Sequence, residues 1–360
     1  MNEPATPALI VDLPTVERNV RSMAAYAAAH SLGLRPHAKT HKSLRMARLQ
    51  MDAGAIGLAV AKVGEAEVMV EAADDVLLAY PAVDEPRCRA LAALARAHTI
   101  CVAVDSARAV EAVAAAASRA GSEVGVLIEL DVGFHRTGAA TPEASVLLAR
   151  LAAGTKGVRL DGLMVFPGHL SALAGQAEAL ARVSELLDET LDLWRRDGLE
   201  ARIVSGGSTP TARQSHLIRA LTEIRPGTYI FNDLKIVAGG HCALADCAAS
   251  VLCTVVSDAV PDTVVLDAGS KALSSELLAR SPDDGYGHVV ECPEARIARL
   301  SEEHGIVDVS RCSRRPKVGE RVHVIPNHIC PCVNLHDVMW LRHAGGELEP
   351  TPVDARGRLS

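Results

Sequence analysis

From residue 8 to about residue 233 the chain repeats one pattern, a short apolar or β-branched run followed by a longer Ala-rich stretch with helical periodicity. The runs at 8–11, 33–35, 56–60, 76–79, 99–104, 124–130, 162–166, 201–205 and 222–224 read as strands. Between them, stretches such as 13–30, 44–53, 64–73, 107–120 and 173–197 read as helices. Strands that alternate with helices form a parallel sheet, because each crossover is itself a helix. Eight such repeats predict an α/β fold of the (β/α)8 TIM-type barrel class rather than an open doubly wound sheet. No G-x-G-x-x-G follows an early strand, which argues against dinucleotide binding. The first run is a ninth, surplus to the eight.

After residue 239 the texture changes. Runs at 250–256, 263–267 and 321–325 are β-rich and separated by Gly, Pro and Asp, which predicts a mostly antiparallel β domain. The domains expected are a barrel over 8–238 and a β domain over 239–360 together with residues 1–7. The tail from 347 to 360 contains Pro and Arg and is expected to be peripheral.

Composition bears on the core and on partners. Hydrophobic residues make up 49% of the chain and aromatics only 2%, so the core must be built from Ala, Val and Leu, as buried parallel sheets usually are. The net charge of −7, without a basic tract, excludes nucleic acid as an expected partner. No apolar run approaches the ~20 residues of a membrane helix. The start of the chain lacks the pattern of a secretory signal, so the expected location is cytoplasmic, with no membrane partner. The nine cysteines, odd in number and scattered, read as reduced and mostly structural.

The most informative stretch for chemistry is Arg35-Pro36-His37-Ala38-Lys39-Thr40-His41-Lys42. It follows a strand-like run, so Lys39 should sit at a strand mouth. A lysine there, among imidazoles and away from bulk water, has a free, nucleophilic amine suited to a Schiff base. The other reading is a solvated basic turn. Arg136 lies just past a strand ending in Glu129 and Asp131, where barrel active sites are built, or it is simply paired with Asp131. Phe166 and Tyr80 each end a strand and face either a site or the core. His169, in Pro167-Gly168-His169, is placed to hold or shuttle a proton, or is a surface histidine.

Ser205-Gly206-Gly207-Ser208-Thr209-Pro210-Thr211 is a glycine- and hydroxyl-rich loop of the kind that admits phosphate. With Arg225-Pro226-Gly227-Thr228-Tyr229 at the next repeat, it makes Gly207, Ser208, Thr209, Gly227 and Tyr229 the expected phosphate set. In His328-Ile329-Cys330, an extended backbone would turn imidazole and thiol to one face, where two ligands make an open metal site. Cys332 would share that face and compete.

These segments, together with Lys62-Val63-Gly64-Glu65-Ala66-Glu67, Asp131-Val132-Gly133-Phe134-His135-Arg136-Thr137-Gly138 and Pro326-Asn327-His328-Ile329-Cys330-Pro331, resemble the fold-type III pyridoxal-phosphate enzymes. Within them the chain is most similar to the D-threonine aldolase and D-serine dehydratase group, over about residues 5–340. The resemblance implies an alanine-racemase-like N-terminal barrel, with pyridoxal 5'-phosphate held on Lys39 and Lys42 a solvated or backing charge. It places Arg136 at the cofactor's phenolic oxygen and Phe166 on the ring. It implies a divalent metal on His328 and Cys330. Dehydratases of the group carry H-x-C, and thiolate favours zinc, whereas the aldolases carry H-x-D and bind manganese or magnesium. Asn334-Leu335-His336-Asp337, by contrast, resembles the aldolases.

The substrate implied is a small D-3-hydroxy amino acid. The favoured reaction is dehydration and deamination, taking D-serine or D-threo-3-hydroxyaspartate to a 2-oxo acid and ammonia. The alternative is D-threonine aldolase-type cleavage to glycine and an aldehyde. An amino-acid racemase would need a β-domain tyrosine, for which only Tyr286 stands. A non-catalytic cofactor-binding protein has no use for the second domain. A homodimer is implied by the same resemblance.

Overall fold

The computed structural model describes residues 4–278 and 284–360. The chain divides into two compact units, one of Ser22–Lys39, Leu44–Gly227 and Gly357–Ser360, the other of Met1–Arg21, Thr40–Ser43 and Thr228–Arg356. The main break therefore falls at 227/228 rather than the expected 238/239. The reason lies in hydrogen bonding within the second unit. There Phe231 accepts from Ala248 N (2.7 Å), and Lys235 N donates to Asn327 O (3.1 Å).

Strands are numbered along the chain from β1 (Ala8–Asp12), which belongs to the second unit. The first unit holds β2 (Gly33–Leu34), β3 (Leu58–Val60), β4 (Asp75–Leu78), β5 (Thr99–Val104), β6 (Val124–Leu130), β7 (Val158–Val165), β8 (Ile203–Gly206) and β9 (Glu223–Ile224). They form an eight-stranded parallel sheet in the order β2-β9-β8-β7-β6-β5-β4-β3. Its two ends meet: Ile56 N donates to Leu34 O (2.9 Å), Ala59 N donates to Pro36 O (2.8 Å), and His37 bridges to Ala59. The sheet is curled into the expected barrel.

Helices connect the barrel strands from β3 to β8. The helices Glu85–Leu94, Ala107–Ala120 and Pro142–Gly154 start at Asp84, Ser106 and Thr141, whose side chains accept an N–H of the first turn that would otherwise lack a partner. β6 is buried at every position, as a strand covered on both faces requires. Inside the barrel Leu77, Cys101, Ala103, Leu127 and Met164 pack together, so small and aliphatic side chains fill the space that aromatics would otherwise occupy.

β7 begins four residues before the expected 162, at Val158. Its first half carries Arg159 and Asp161, which interrupt the apolar run but pair with one another (2.7 Å) at the barrel floor. A register shift between Val126 and Leu127 accommodates the change at Gly162.

The second unit is a nine-stranded, mostly antiparallel sheet. It contains β1, β10 (Ala249–Ser257), β11 (Thr263–Leu266), β12 (His288–Val289), β13 (Arg296–Leu300), β14 (Gly305–Asp308), β15 (Arg321–Ile325), β16 (Val338–Arg342) and β17 (Leu348–Pro352). The surplus first strand lies here, antiparallel to β10 and parallel to β16. The tail is not peripheral. β17 pairs with β16 along five residues, Thr351, Val353 and Ala355 are buried, and Ala355 N donates to Lys42 O (2.9 Å). All nine cysteines are free thiols. No helix among the described residues is long and apolar enough to cross a membrane.

Candidate active site

A cavity of about 350 Å³ opens at the carboxyl ends of the barrel strands. Lys39 reaches it from the short 3-10 turn Ala38–Thr40 after β2, and Lys39 N donates to Nδ1 of His37, which also lines the space. Tyr80 follows β4, Arg136 and Thr137 follow β6, Phe166 follows β7, Gly207 follows β8 and Arg225 follows β9. Five of the expected residues, Lys39, Tyr80, Arg136, Phe166 and Gly207, thus surround one space.

Arg136 is not paired with Asp131. The Asp131 carboxylate accepts backbone N–H groups from Gly133, Phe134 and His135 (each 3.0 Å) and faces His135 Nδ1 at 2.6 Å. The Arg136 guanidinium instead lies over the rings of Phe166 (4.6 Å) and Phe134 (5.1 Å), within cation–π range. Phe166 is half-buried and so is not a core residue. Lys62 Nζ sits 4.2 Å over the ring of Tyr80.

Arg225 was missed as a site residue, although it lies in a motif singled out from the sequence. It is wholly buried, and burial, opposed by Glu223 and Glu129, pushes its pKa down to about 10, so it stays charged at neutral pH. It donates through Nη1 to Ser205 Oγ (2.5 Å) and through Nη2 to Val165 O (2.9 Å). Ser205 Oγ in turn donates to Glu223 (2.5 Å), which accepts from Arg35 Nε (3.0 Å), and Arg35 pairs with Asp75 (2.7 Å). This chain of polar contacts ends at a second cavity of about 210 Å³ on the barrel floor. Thr137 donates to Glu129 (2.9 Å), whose pKa burial raises.

The glycine-rich loop is ordered by its own hydroxyls. Gly207 has φ +76, and a Cβ there would press on Ser215 Oγ at 3.0 Å, so the bend requires glycine. Ser208 N donates to Thr211 Oγ1 (2.9 Å), and Gly227 N donates to Thr209 Oγ1 (3.2 Å), which ties the two loops together. Of the expected phosphate set, only Gly207 lines the cavity, while Ser208, Thr209 and Gly227 make these loop contacts. Tyr229 is buried in the second unit. His169 is exposed, lies against Gly133, and does not line the cavity. An amine, two guanidinium groups and two aromatic faces around one space suit an anionic, planar aldehyde such as pyridoxal phosphate.

His328 and Cys330 are placed differently from the extended segment expected. His328 caps the short helix Ile329–Val333, so alternation of faces does not bring imidazole and thiol together. Cys330 Sγ contacts the hydroxyls of Thr40 (3.2 Å) and Thr228 (3.7 Å), donors that a thiolate accepts. Cys332 is no competitor: it is wholly buried, its thiol is pushed up to about 12 by burial, and it donates to Ala272 O (3.1 Å). Among the described residues no three His, Cys, Asp or Glu side chains cluster to hold an ion. A metal on this pair would keep positions open for substrate or water, as catalytic sites do. Lys42 is not solvated. It is buried and donates to Asn334 Oδ1 (2.8 Å).

Residues 11–235 match the alanine racemase N-terminal domain and residues 248–341 a serine dehydratase domain. The chain belongs to this alanine-racemase-like family of fold-type III pyridoxal-phosphate enzymes. It is 32% identical to the D-threonine aldolase of Arthrobacter sp., over 98% of this chain and 93% of that one. The solved D-threonine aldolase of Filomicrobium marinum is 33% identical with a TM-score of 0.92, covering 99% of this chain and 97% of that one. The D-threo-3-hydroxyaspartate dehydratase of Delftia sp. HT23 is 30% identical with a TM-score of 0.88, covering 97% of each chain. Solved variants of a D-threo-3-hydroxyaspartate dehydratase carry alanine in place of a histidine or of a cysteine two positions further on, the latter in a metal-free form. These full-length relatives are lyases, and the chain is an enzyme of the same pyridoxal-phosphate lyase group.

Proposed function

We propose that the chain is a pyridoxal-phosphate- and metal-dependent lyase of a D-3-hydroxy amino acid, with dehydration and deamination as its reaction. The observation that carries this reading is the His328-Ile329-Cys330 spacing, the same as that of the histidine and cysteine replaced in solved variants of a D-threo-3-hydroxyaspartate dehydratase.

Pyridoxal phosphate on Lys39 supplies a sink for the electrons released at Cα. The Lys39 amine would be the base that takes the Cα proton. Arg136, held over Phe166, offers a fixed positive charge to an anionic oxygen of the bound group. Arg225 adds a second cation that its partners Ser205 and Val165 keep in place. Phe166 and Met164 keep water from the reacting carbon. His328 and Cys330 would hold a divalent ion, zinc by the softness of thiolate, and such an ion would supply Lewis acidity at a β-hydroxyl. Loss of that hydroxyl by cleavage of Cβ–O leads, after hydrolysis, to a 2-oxo acid and ammonia.

The second reading is aldol cleavage. There a base takes the β-hydroxyl proton, the Cα–Cβ bond breaks, and glycine and an aldehyde leave. Asn334-Leu335-His336-Asp337, which resembles the aldolases, favours it. A cytoplasmic homodimer is part of the proposal, checked by light scattering. The deciding test incubates the holoenzyme and zinc with D-serine, D-threonine and D-threo-3-hydroxyaspartate and measures ammonia and glycine together. Ammonia with a 2-oxo acid supports the proposal. Glycine with an aldehyde replaces it by the second reading.

A further inference from the structure

The metal pair sits on a frame of anions that its own chemistry does not explain. Asp233 is wholly buried, a costly place for a carboxylate. Its Oδ1 accepts Ile236 N–H (3.1 Å), and its Oδ2 accepts the N–H of Ile329 (3.0 Å), the residue between the two ligands. The next two residues continue the contact, with Leu234 N donating to Pro326 O (3.4 Å) and Lys235 N to Asn327 O (3.1 Å). Three successive residues at the start of the helix Leu234–Ala238 thus hold the segment 326–329 by hydrogen bonds.

A second carboxylate approaches from the other side. Glu276 Oε2 lies 3.8 Å from His328 Nδ1 and pairs with Lys235 Nζ at 2.5 Å. Asn327 Nδ2 donates to the Glu276 carbonyl (3.0 Å) and to Gly285 O (2.8 Å), which fixes the backbone on either side. A histidine that ligates a metal through one ring nitrogen commonly offers the other to a carboxylate, which fixes the ring and raises its basicity. Glu276 is the carboxylate within ion-pair reach of the buried Nδ1, so Nε2 would be the nitrogen that faces an ion.

We infer that Asp233 and Glu276 are positioning residues of the metal pair, Glu276 by orienting the His328 ring and Asp233 by fixing the Ile329 peptide between the ligands. The inference rests on the metal reading above and goes beyond it, because neither residue touches substrate or cofactor.

The test uses holoenzyme stripped of metal with a chelator and titrated with zinc against a chromophoric competitor. Asp233→Asn and Glu276→Gln should each weaken zinc binding by about 10–100-fold, with the cofactor's visible absorbance retained. A merely structural role would lower the melting temperature and leave zinc affinity alone. Should Asp233→Asn fail to fold, Glu276→Gln decides, because its side chain is half-exposed and its shape is kept. Wild-type affinity in either folded variant overturns the assignment of that residue. His328→Ala and Cys330→Ala serve as controls: if they bind zinc like wild type, the metal reading itself fails, a result distinct from failure of the inference.

Discussion

Glu223→Gln should destabilise the barrel unit by about 3 kcal/mol. The carboxylate is 2% exposed and accepts three hydrogen bonds, two from Arg35 Nε (3.0 Å to each oxygen) and one from Ser205 Oγ (2.5 Å). Glutamine keeps the volume but has one accepting oxygen; placed at Oε1 it keeps Ser205, and its NH2 then faces Arg35 Nε, a donor, with no negative charge left on the guanidinium from this side. Removing one partner of a buried pair costs about 3–5 kcal/mol, mostly from the charge left behind. Asp75 remains on Arg35 and places the expectation at the lower end. The loss should reach the barrel cavity lined by Lys39 as well, because Ser205 then holds Arg225 less firmly.

Urea unfolding followed by fluorescence of Trp194, wholly buried on the helix Gln176–Arg196, reads the barrel unit alone once Trp340 is replaced by Phe. The double variant Arg35→Met with Glu223→Leu should cost less than the sum of its singles, since neither member of the Arg35–Glu223 pair is left facing the vacancy of the other. A loss below about 1 kcal/mol for Glu223→Gln would refute the view that this carboxylate holds the two buried arginines.

Three other outcomes are expected. Gly162→Ala should unfold the barrel or cost well above the ~1–3 kcal/mol of backbone strain alone, because its φ is +151 and a Cβ would lie 1.9 Å from Ile203 O; thermal melting checks this, and a near-wild-type melt would be inconsistent with the bulged register. Burial holds His336 below its ordinary 6.5, the neutral ring donating from Nε2 to Ala272 O (3.0 Å). The unfolded chain therefore takes up that proton first, and this contribution is whole above pH 6.5 and lost as pH falls toward the lower folded value. His336→Gln should flatten the acid side of the stability–pH curve, and an unchanged slope would exclude the assignment. Cys330→Asp should move metal preference from zinc toward manganese, read by metal content after dialysis against both ions; retained zinc selectivity would mean that thiolate softness does not set the choice.

Strand ends were readable where β-branched and apolar residues dominate a run bounded by turn residues. β5, β6 and β15 fall on the expected 99–104, 124–130 and 321–325, and the residues just past the barrel strands, Lys39, Tyr80, Arg136, Phe166 and Gly207, meet at one cavity. Periodicity failed where charge enters a strand for a tertiary purpose, as with Arg159 and Asp161 in β7. It also failed where a short turn replaces an extended run. Pro331 stands in the first turn of the helix Ile329–Val333, a position that tolerates proline, and was a usable sign that this segment is helical. His169 shows the limit of placement by loop: it follows the same strand as Phe166, yet its side chain lies outside the cavity. Arg225 was hidden because a second arginine in a glycine-proline turn looks like a surface cation, and only tertiary packing buries it.

The most direct measurement is to reduce the holoenzyme with borohydride, digest it, and find by mass spectrometry which lysine carries the cofactor. The account predicts one modified peptide with the label on Lys39. A label on Lys42, Lys62 or any other lysine would contradict the placement of the cofactor in the barrel cavity, and with it the chemistry assigned to Arg136 and Phe166.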